Sequence, residues 1–430
     1  MTVASVTQVS STSSSQITSY HKLVLLSAFL GWMFDSMDLN VFTLILFPCI
    51  KELIQSNNPA EIAKIGSIVI AIKLFAWGIG GVLFGVAADK YGRAKIMALT
   101  IVIYAVFTGL SAFATSWPML ALFQGLAGIG IGGEWAAGAA IVAETWPADK
   151  RARAIQIMQL AFAFGFFLAA LDNLVLGQYG WRVVIGVGVI PVFVTIFIRR
   201  YIKEPERWVQ VNENRKKNGT EESGMQIFKA IFGKEHLRNT IIGVTVASAA
   251  MLGCWAGLSL LPTWIMQLTT AAKAGNPVTM VSYAFMLMMV GALLGYITLI
   301  WLSDFLGRKK CYFLFWTAAL ISSLYLFTQV KDISTLIWFM PIYGYFVIGG
   351  FGTFATYLPE LFPTRVRGTG QGFCWNMARF LTGFGPLSAG FLIQYFGSIP
   401  KVAAALSLFF IVGLVAIWFG PETKGINLED

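Results

Sequence analysis

Five ionisable residues stand inside otherwise apolar stretches of this chain: Asp35, Asp38, Lys73, Glu134 and Arg379. A charge at the middle of an apolar membrane helix costs roughly 2.5–3.5 kcal/mol on insertion scales, so such residues face a cavity or a partner. Three are carboxyls, groups that can take up and release a proton where burial disfavours the ionised form. Asp35 and Asp38 are three positions apart and share a helix face. Arg379 offers different chemistry, a permanent charge on a planar fork that matches the two oxygens of a carboxylate. Asn376 lies on the same face one turn earlier. The chemistry these residues suit is proton binding at Asp35, Asp38 or Glu134 and anion binding at Arg379, with Asn376 and Gln124 as polar substrate-binding groups. Lys73 either snorkels along its own stem, pairs with Asp38, or touches the substrate.

Other candidates carry less. Trp32, Trp135, Tyr343, Tyr345 and Trp375 could line a pocket, but helical spacing does not separate pocket from lipid. Asp172 reads as a wetted charge near a helix end. His21 and His236 sit at helix ends, and the four cysteines (Cys49, Cys254, Cys311, Cys374) show neither paired nor metal-ligand spacing. With no nucleophile–base constellation, the chain has little to work with as an enzyme and calls for no cofactor or metal. Gly128-x-Gly130-x-x-Gly133 matches a dinucleotide fingerprint literally, yet no strand precedes it and no βαβ unit follows. Small residues that let two membrane helices approach explain it better.

The elements that must hold these groups are long apolar segments. Of 430 residues, 57% are hydrophobic and 12% charged, whereas soluble proteins run near one-quarter charged. The segments fall at 22–50, 66–88, 96–114, 118–142, 154–176, 182–200, 240–268, 278–302, 311–329, 334–358, 369–393 and 401–420. Each is long enough to cross about 30 Å of hydrocarbon. Of the 31 Lys and Arg, 23 fall on one side of the membrane, six on the other and two within it. The richer side is expected to be cytoplasmic, so the net charge of +10 reports topology and not a nucleic-acid partner. At 1.5 Å per residue, Asp35 lies about 19 Å and Asp38 about 24 Å from that side, Arg379 about 17 Å, and Glu134 about 24 Å from the other. The organisation predicted is a disordered cytoplasmic tail at 1–21, a six-helix bundle at 22–200, a cytoplasmic linker at 201–239, a second six-helix bundle at 240–420, and a cytoplasmic tail at 421–430. In the linker, Ile227, Phe228, Ile231 and Phe232 suit a short amphipathic helix on the inner leaflet, or else a solvated connection.

The two halves repeat. Asp89, Gly92, Arg93 and Lys95 recur 215 residues later as Asp304, Gly307, Arg308 and Lys310, and Glu144, Pro147 and Arg151 recur 216 residues later as Glu360, Pro363 and Arg367. Two motifs returning at nearly one offset indicate homologous bundles about an axis along the membrane normal, with a cavity between them.

At these residues the chain resembles the major facilitator superfamily, an example of such nested repeats. The loop from Gly85 through Asp89, Gly92, Arg93 and Lys95 is similar to that superfamily's signature between helices two and three; in the second copy Ile300 replaces the first glycine. Phe34-Asp35-Ser-Met-Asp38, Gly130-Ile-Gly132-Gly133-Glu134-Trp135 and Gly370-Gln-Gly-Phe-Cys-Trp-Asn376-Met-Ala-Arg379 resemble the metabolite/proton symporter branch, notably symporters of aromatic acids and of lactate or sialic acid. Glu204-Pro-Glu-Arg207-Trp208 and Pro421-Glu-Thr-Lys-Gly425 are shared with sugar porters. Where the superfamily often carries arginine four residues before the Gly-x-Gly of helix four, this chain carries Gln124. The resemblance implies an all-α polytopic protein of twelve transmembrane helices in two pseudo-symmetric bundles, in the plasma membrane with both termini inside, acting as a monomer. It further implies gating by charge clusters at Asp89, Arg93, Glu144 and Arg151, with a second clamp at Asp304/Arg308 and Glu360/Arg367. The function expected is proton-coupled symport of a small organic anion by alternating access. The alternatives are a sugar or polyol porter and a transporter-derived receptor.

Overall fold

The computed structural model describes residues 17–217 and 222–425. The tail expected at 1–21 therefore lies mostly outside the described residues, and the first helix already begins at Ser19. Helices α1 (Ser19–Ile54), α2 (Pro59–Tyr91), α3 (Arg93–Ser111), α4 (Trp117–Thr145) and α5 (Ala148–Leu176) each cross once. The sixth crossing is broken into α6 (Trp181–Gly186) and α7 (Val192–Tyr201), with Gly186, Gly188 and Pro191 at the break. Two short helices follow, α8 (Glu206–Lys217) and α9 (Gly224–Ala230). The second bundle comprises α10 (Leu237–Ala272), α11 (Pro277–Leu306) and α12 (Arg308–Gln329), then α13 (Ile333–Tyr343) continued through a π-turn into α14 (Gly352–Glu360). Its last two crossings are α15 (Arg367–Thr382) with α16 (Phe384–Phe396), and α17 (Ile399–Ser407) with α18 (Phe409–Ala416).

These make twelve crossings in two bundles of six, with no strand among the described residues. Nine of the segments are long and apolar enough to span by length and composition alone. The other three are α1, the broken sixth crossing, and α15 with α16. Two of those three carry four of the polar groups singled out above, Asp35 and Asp38 on α1 and Asn376 and Arg379 on α15. Helices that line the bundle interface can be less apolar than helices that face lipid, because protein rather than hydrocarbon surrounds their polar face.

Glycine decides how closely the crossings pack. Gly128 of α4 rests on the Lys73 carbonyl of α2, Gly130 on Thr100 and Tyr104 of α3, and Gly133 on Phe84 of α2. A Cβ at any of the three would collide, which accounts for the Gly-x-Gly-x-x-Gly run by helix packing. On the other side of α2, Gly78, Gly81 and Gly85 meet Phe380, Asn376 and Gly368 of α15, so the two bundles touch along a glycine seam.

The repeat reaches the helix caps. Gly92 (φ 116°) and Gly307 (φ 89°) precede α3 and α12 in the region of φ that favours glycine. The Glu204 carboxylate accepts from the backbone N–H of Ala94 (3.2 Å) and Lys95 (3.1 Å). Glu422 accepts from Arg308 (2.8 Å) and Lys309 (3.2 Å). Each carboxylate thus satisfies orphan donors at a positive helix end. In the linker the expected amphipathic helix is α9, but its apolar face lies on protein rather than lipid. Ile227 and Ile231 are buried, and the rings of Phe228 and Phe232 pack on Phe373, 5.9 and 5.2 Å between centroids.

Candidate functional site

A small, partly enclosed cavity lies between the bundles. Trp32 of α1 with Gln159 and Phe162 of α5 line it from the first bundle. Met251 and Trp255 of α10, Tyr296 of α11, Ile348 and Phe351 of the fourth crossing, and Trp375 and Arg379 of α15 line it from the second. The lining is aromatic and aliphatic, with Gln159, Tyr296 and Arg379 as its polar side chains besides the indole N–H groups. Trp135 stacks on Trp375 (4.6 Å between centroids) and donates from Nε1 to Gln159 Oε1 at 3.2 Å.

Arg379 is 3% exposed and makes no ion pair among the described residues. Its Nε finds no acceptor, and neither do the buried indole N–H groups of Trp32 and Trp375. The guanidinium lies over Trp77 of α2, 3.8 Å from the ring centroid, with Trp255 and Trp375 each at 5.8 Å. A desolvated cation over an indole face gains roughly 2 kcal/mol, less than a full counter-charge supplies in a low dielectric. The cavity therefore presents a positive charge and three unpartnered donors.

On the first-bundle side, the carboxyls of Asp35 and Glu134 are near neighbours whose charges interact. Both are buried, and no donor reaches either. Glu134 is pressed onto Gly31, one turn before Asp35, where a Cβ would strike its Oε1. Asp35 is also close enough to Arg379 for the two charges to interact.

Asp38 is handled differently. Lys73 Nζ donates to its Oδ2 at 2.7 Å, and Thr108 Oγ1 donates to its Oδ1 at 2.6 Å. Lys73 also donates to Gln124 Oε1 (2.8 Å), whose Nε2 donates to Ser111 (2.9 Å). Lys73 thus pairs rather than snorkels. Gln124, expected as a substrate-binding group, lies in this network inside the first bundle. Asn376, expected to help Arg379, points into the glycine seam, its Nδ2 donating to the carbonyls of Gly372 (2.8 Å) and Gly132 (3.4 Å).

At the face rich in Lys and Arg, the basic face, the expected charge clusters bind the bundles together, with one exchange of partners. Glu144 accepts two bonds from Arg93 (3.1 and 3.0 Å) and one from Arg367 of the second bundle (2.9 Å). Arg308 forks onto Glu360 (3.0 and 2.9 Å). The pairing expected between Glu360 and Arg367 is therefore not made, and neither is one between Glu144 and Arg151, whose Nε has no partner. The physical reason is the closed interface, which puts Glu144 nearer to Arg367 across the seam. Asp89 accepts from Gly368 N (3.1 Å), Thr369 N (2.7 Å) and Thr369 Oγ1 (2.6 Å), while Asp304 pairs with Arg153 at 2.9 Å.

Above this charge layer, two amides cross the interface in the same way. Gln156 Nε2 donates to the Gly352 carbonyl (2.7 Å), and Gln371 Nε2 donates to the Ala136 carbonyl (2.6 Å). The two donors are 215 positions apart and the two acceptors 216, the offsets of the sequence repeat. Sequence reasoning missed both glutamines, along with Trp77, Gln159, Trp255 and Tyr296. None carries a charge, so none stands out in an apolar helix; the repeat offset was the one signal able to find the glutamine pair. Of the aromatics singled out, Trp32 and Trp375 reach the cavity and Trp135 backs it. Tyr343 is buried in the second bundle, and Tyr345 donates to Thr298 (2.8 Å) away from it.

Two six-helix bundles packed around a central cavity, with charge clusters joining them at one face, are the architecture of a membrane transporter built from two repeats. Residues 24–275 match the family model of the Major Facilitator Superfamily, and residues 215–430 match that of the Sugar (and other) transporter family. The chain belongs to the major facilitator superfamily. It is 30% identical, over 93% of its length and 90% of the relative's, to a protein of Cupriavidus pinatubonensis named a probable 4-methylmuconolactone transporter. It is 29% identical to the sialic acid transporter NanX of Escherichia coli, over 93% of this chain and 95% of that one. Among solved structures, the proton:xylose symporter XylE bound to 6-bromo-6-deoxy-D-glucose matches with a TM-score of 0.76 at 19% identity, covering 95% of this chain and 98% of that one. That likeness is one of fold.

Proposed function

We propose that this transporter carries a small organic anion together with a proton. The observation that carries the reading is Arg379, a buried cation at the edge of a cavity, whose Nε and the neighbouring indole N–H groups of Trp32 and Trp375 lack acceptors. A carboxylate would accept from that fork and neutralise it. Asp35 and Glu134 supply the coupling. Two ionised carboxylates in contact, away from water and donors, would repel, whereas one shared proton turns the contact into a hydrogen bond. With the proton in place, Asp35 no longer competes for Arg379, and the anion can take its charge. With the proton lost, the ionised Asp35 competes with the anion for Arg379, and the anion leaves. Asp38, tied to Lys73 and Thr108, belongs to the scaffold in this scheme.

The names of the relatives, a lactone transporter and a sialic acid transporter, support a metabolite substrate and are compatible with an acid. The match of the second half to the sugar-transporter model favours a sugar or polyol as second reading, but a cavity with three polar lining side chains offers few partners for several hydroxyls. The excess of basic residues on one face supports a cytoplasmic location for that face and for both termini, in a plasma-membrane monomer. The test is uptake into proteoliposomes under an inward proton gradient, with lactate, benzoate, nicotinate and hexoses as competitors. Competition by one or more carboxylates, abolished by a protonophore, is expected. Competition by hexoses alone, unaffected by the protonophore, would refute the proposal.

A further inference from the structure

The buried guanidinium raises a question that anion binding alone leaves open: what neutralises Arg379 when the cavity is empty. Arg379 stands on the second bundle, and the ring it lies over, Trp77, stands on the first, so the 3.8 Å contact spans the interface that moves. Trp77 is itself 1% exposed, and its Nε1 finds no acceptor, so it is held there for its face and not for a hydrogen bond. The neighbouring Gly78, against Phe380 and the Asn376 carbonyl, brings α2 close enough to α15 for the stack to form. Trp255 and Trp375 lie farther from the charge and belong to Arg379's own bundle.

From this geometry we infer that Trp77 is a positioning residue for the return of the unloaded carrier, standing in for the absent anion by covering the Arg379 charge across the interface. The inference rests on reading Arg379 as the anion anchor, but its observable is a property of the empty protein. A carrier that passes through a closed state without its anion would otherwise bury a cation that the nearby Asp35 does not pair with, which is unfavourable. The indole face offers partial compensation that carries no charge of its own and so does not compete with an incoming carboxylate. A loaded carrier has its anion and does not need the ring.

The experiment needs no ligand. Thr115 and Lys331 are exposed on the face opposite the basic one, in the first and second bundle respectively, and the native cysteines are buried. Spin labels at Thr115→Cys and Lys331→Cys report, by double electron–electron resonance on the empty full-length protein, how far that face is open. Trp77→Leu is expected to lower the closed population relative to the open one by about fivefold, and Trp77→Phe by less. In Trp77→Leu/Arg379→Met the closed population should return, because no charge is left to cover. If Trp77→Leu leaves the distribution unchanged, or if removing Arg379 does not restore closure, Trp77 has no such role. If Asp35→Asn opens the empty protein and Trp77→Leu does not, Asp35 is the internal counter-charge and the inference fails. Carboxylate binding to wild type and Arg379→Ala, measured calorimetrically with benzoate, lactate and nicotinate, tests the anchor itself. The two readings thus fail on separate measurements.

Discussion

The two bundles share a fold and a repeat offset, yet they bury opposite kinds of chemistry. The first holds Asp35, Asp38, Lys73 and Glu134 in its core, and the second holds Arg379 among aromatic rings. At the basic face the halves remain near copies, each with an aspartate, an arginine and a glutamate at equivalent positions, and each sending a glutamine to a carbonyl of the other. Symmetry is thus retained at the basic face, where the halves bond to each other, and is lost at the depth of the cavity. A moving interface is served by equivalent contacts on both sides. In the proposed scheme the site binds two unlike ions and so needs unlike surroundings, an acid pair for one and a cation for the other.

That contrast can be broken first at its cationic end. Arg379→Ala should express and fold, since it removes an unpaired buried charge, and should weaken carboxylate binding by at least about a hundredfold. Arg379→Lys keeps charge without the fork and should weaken it by about tenfold. A well-folded Arg379→Ala that binds a carboxylate with wild-type affinity, by calorimetry, would end the assignment.

The acidic end divides into two parts. Asp35→Asn and Glu134→Gln should abolish accumulation driven by a pH gradient while sparing exchange of substrate for substrate, because neither loses a donor in the structure. Asp38→Asn should instead destabilise the protein by about 3–5 kcal/mol, since Lys73 is left without its counter-charge. Thermal unfolding in detergent separates them. Should all three variants still concentrate substrate under a pH gradient, the proton site lies elsewhere, and an unchanged melting temperature for Asp38→Asn would remove it from the scaffold.

The symmetric face should respond more gently. Asp89→Asn weakens the charged end of three cross-interface bonds and should slow transport by about tenfold, with binding within a few-fold of wild type. Normal binding with normal turnover would show that the clamp is dispensable. Gln156→Leu and Gln371→Leu should each shift the empty protein toward opening at the basic face by about 1 kcal/mol, and by similar amounts. Labels on that face read the shift; a large effect from one and none from the other would mean that the pair does not act as symmetric halves of one latch.

The crossings, the two halves and the charge clusters were legible in the sequence because each rests on local physics. Apolar length, the side on which Lys and Arg fall, and a motif recurring at one offset need no knowledge of contacts. Ionisable residues in apolar helices stand out for the same reason, and Asp35, Glu134 and Arg379 were found that way. What no single helix carries is the choice of partner. Lys73 could face lipid headgroups, substrate or Asp38, and only the packing of α2 against α1 and α4 assigned it to Asp38 and Gln124. The repeat placed Arg367 with Glu360, and closure of the bundles gave it to Glu144. Trp77 looks like any lipid-facing aromatic until α15 is laid along the glycine seam of α2 and sets a guanidinium on its face. Hydrophobicity and charge are properties of a residue and so are written in the chain. Pairing energies depend on distances between residues far apart in sequence, and those distances exist only in the folded bundle.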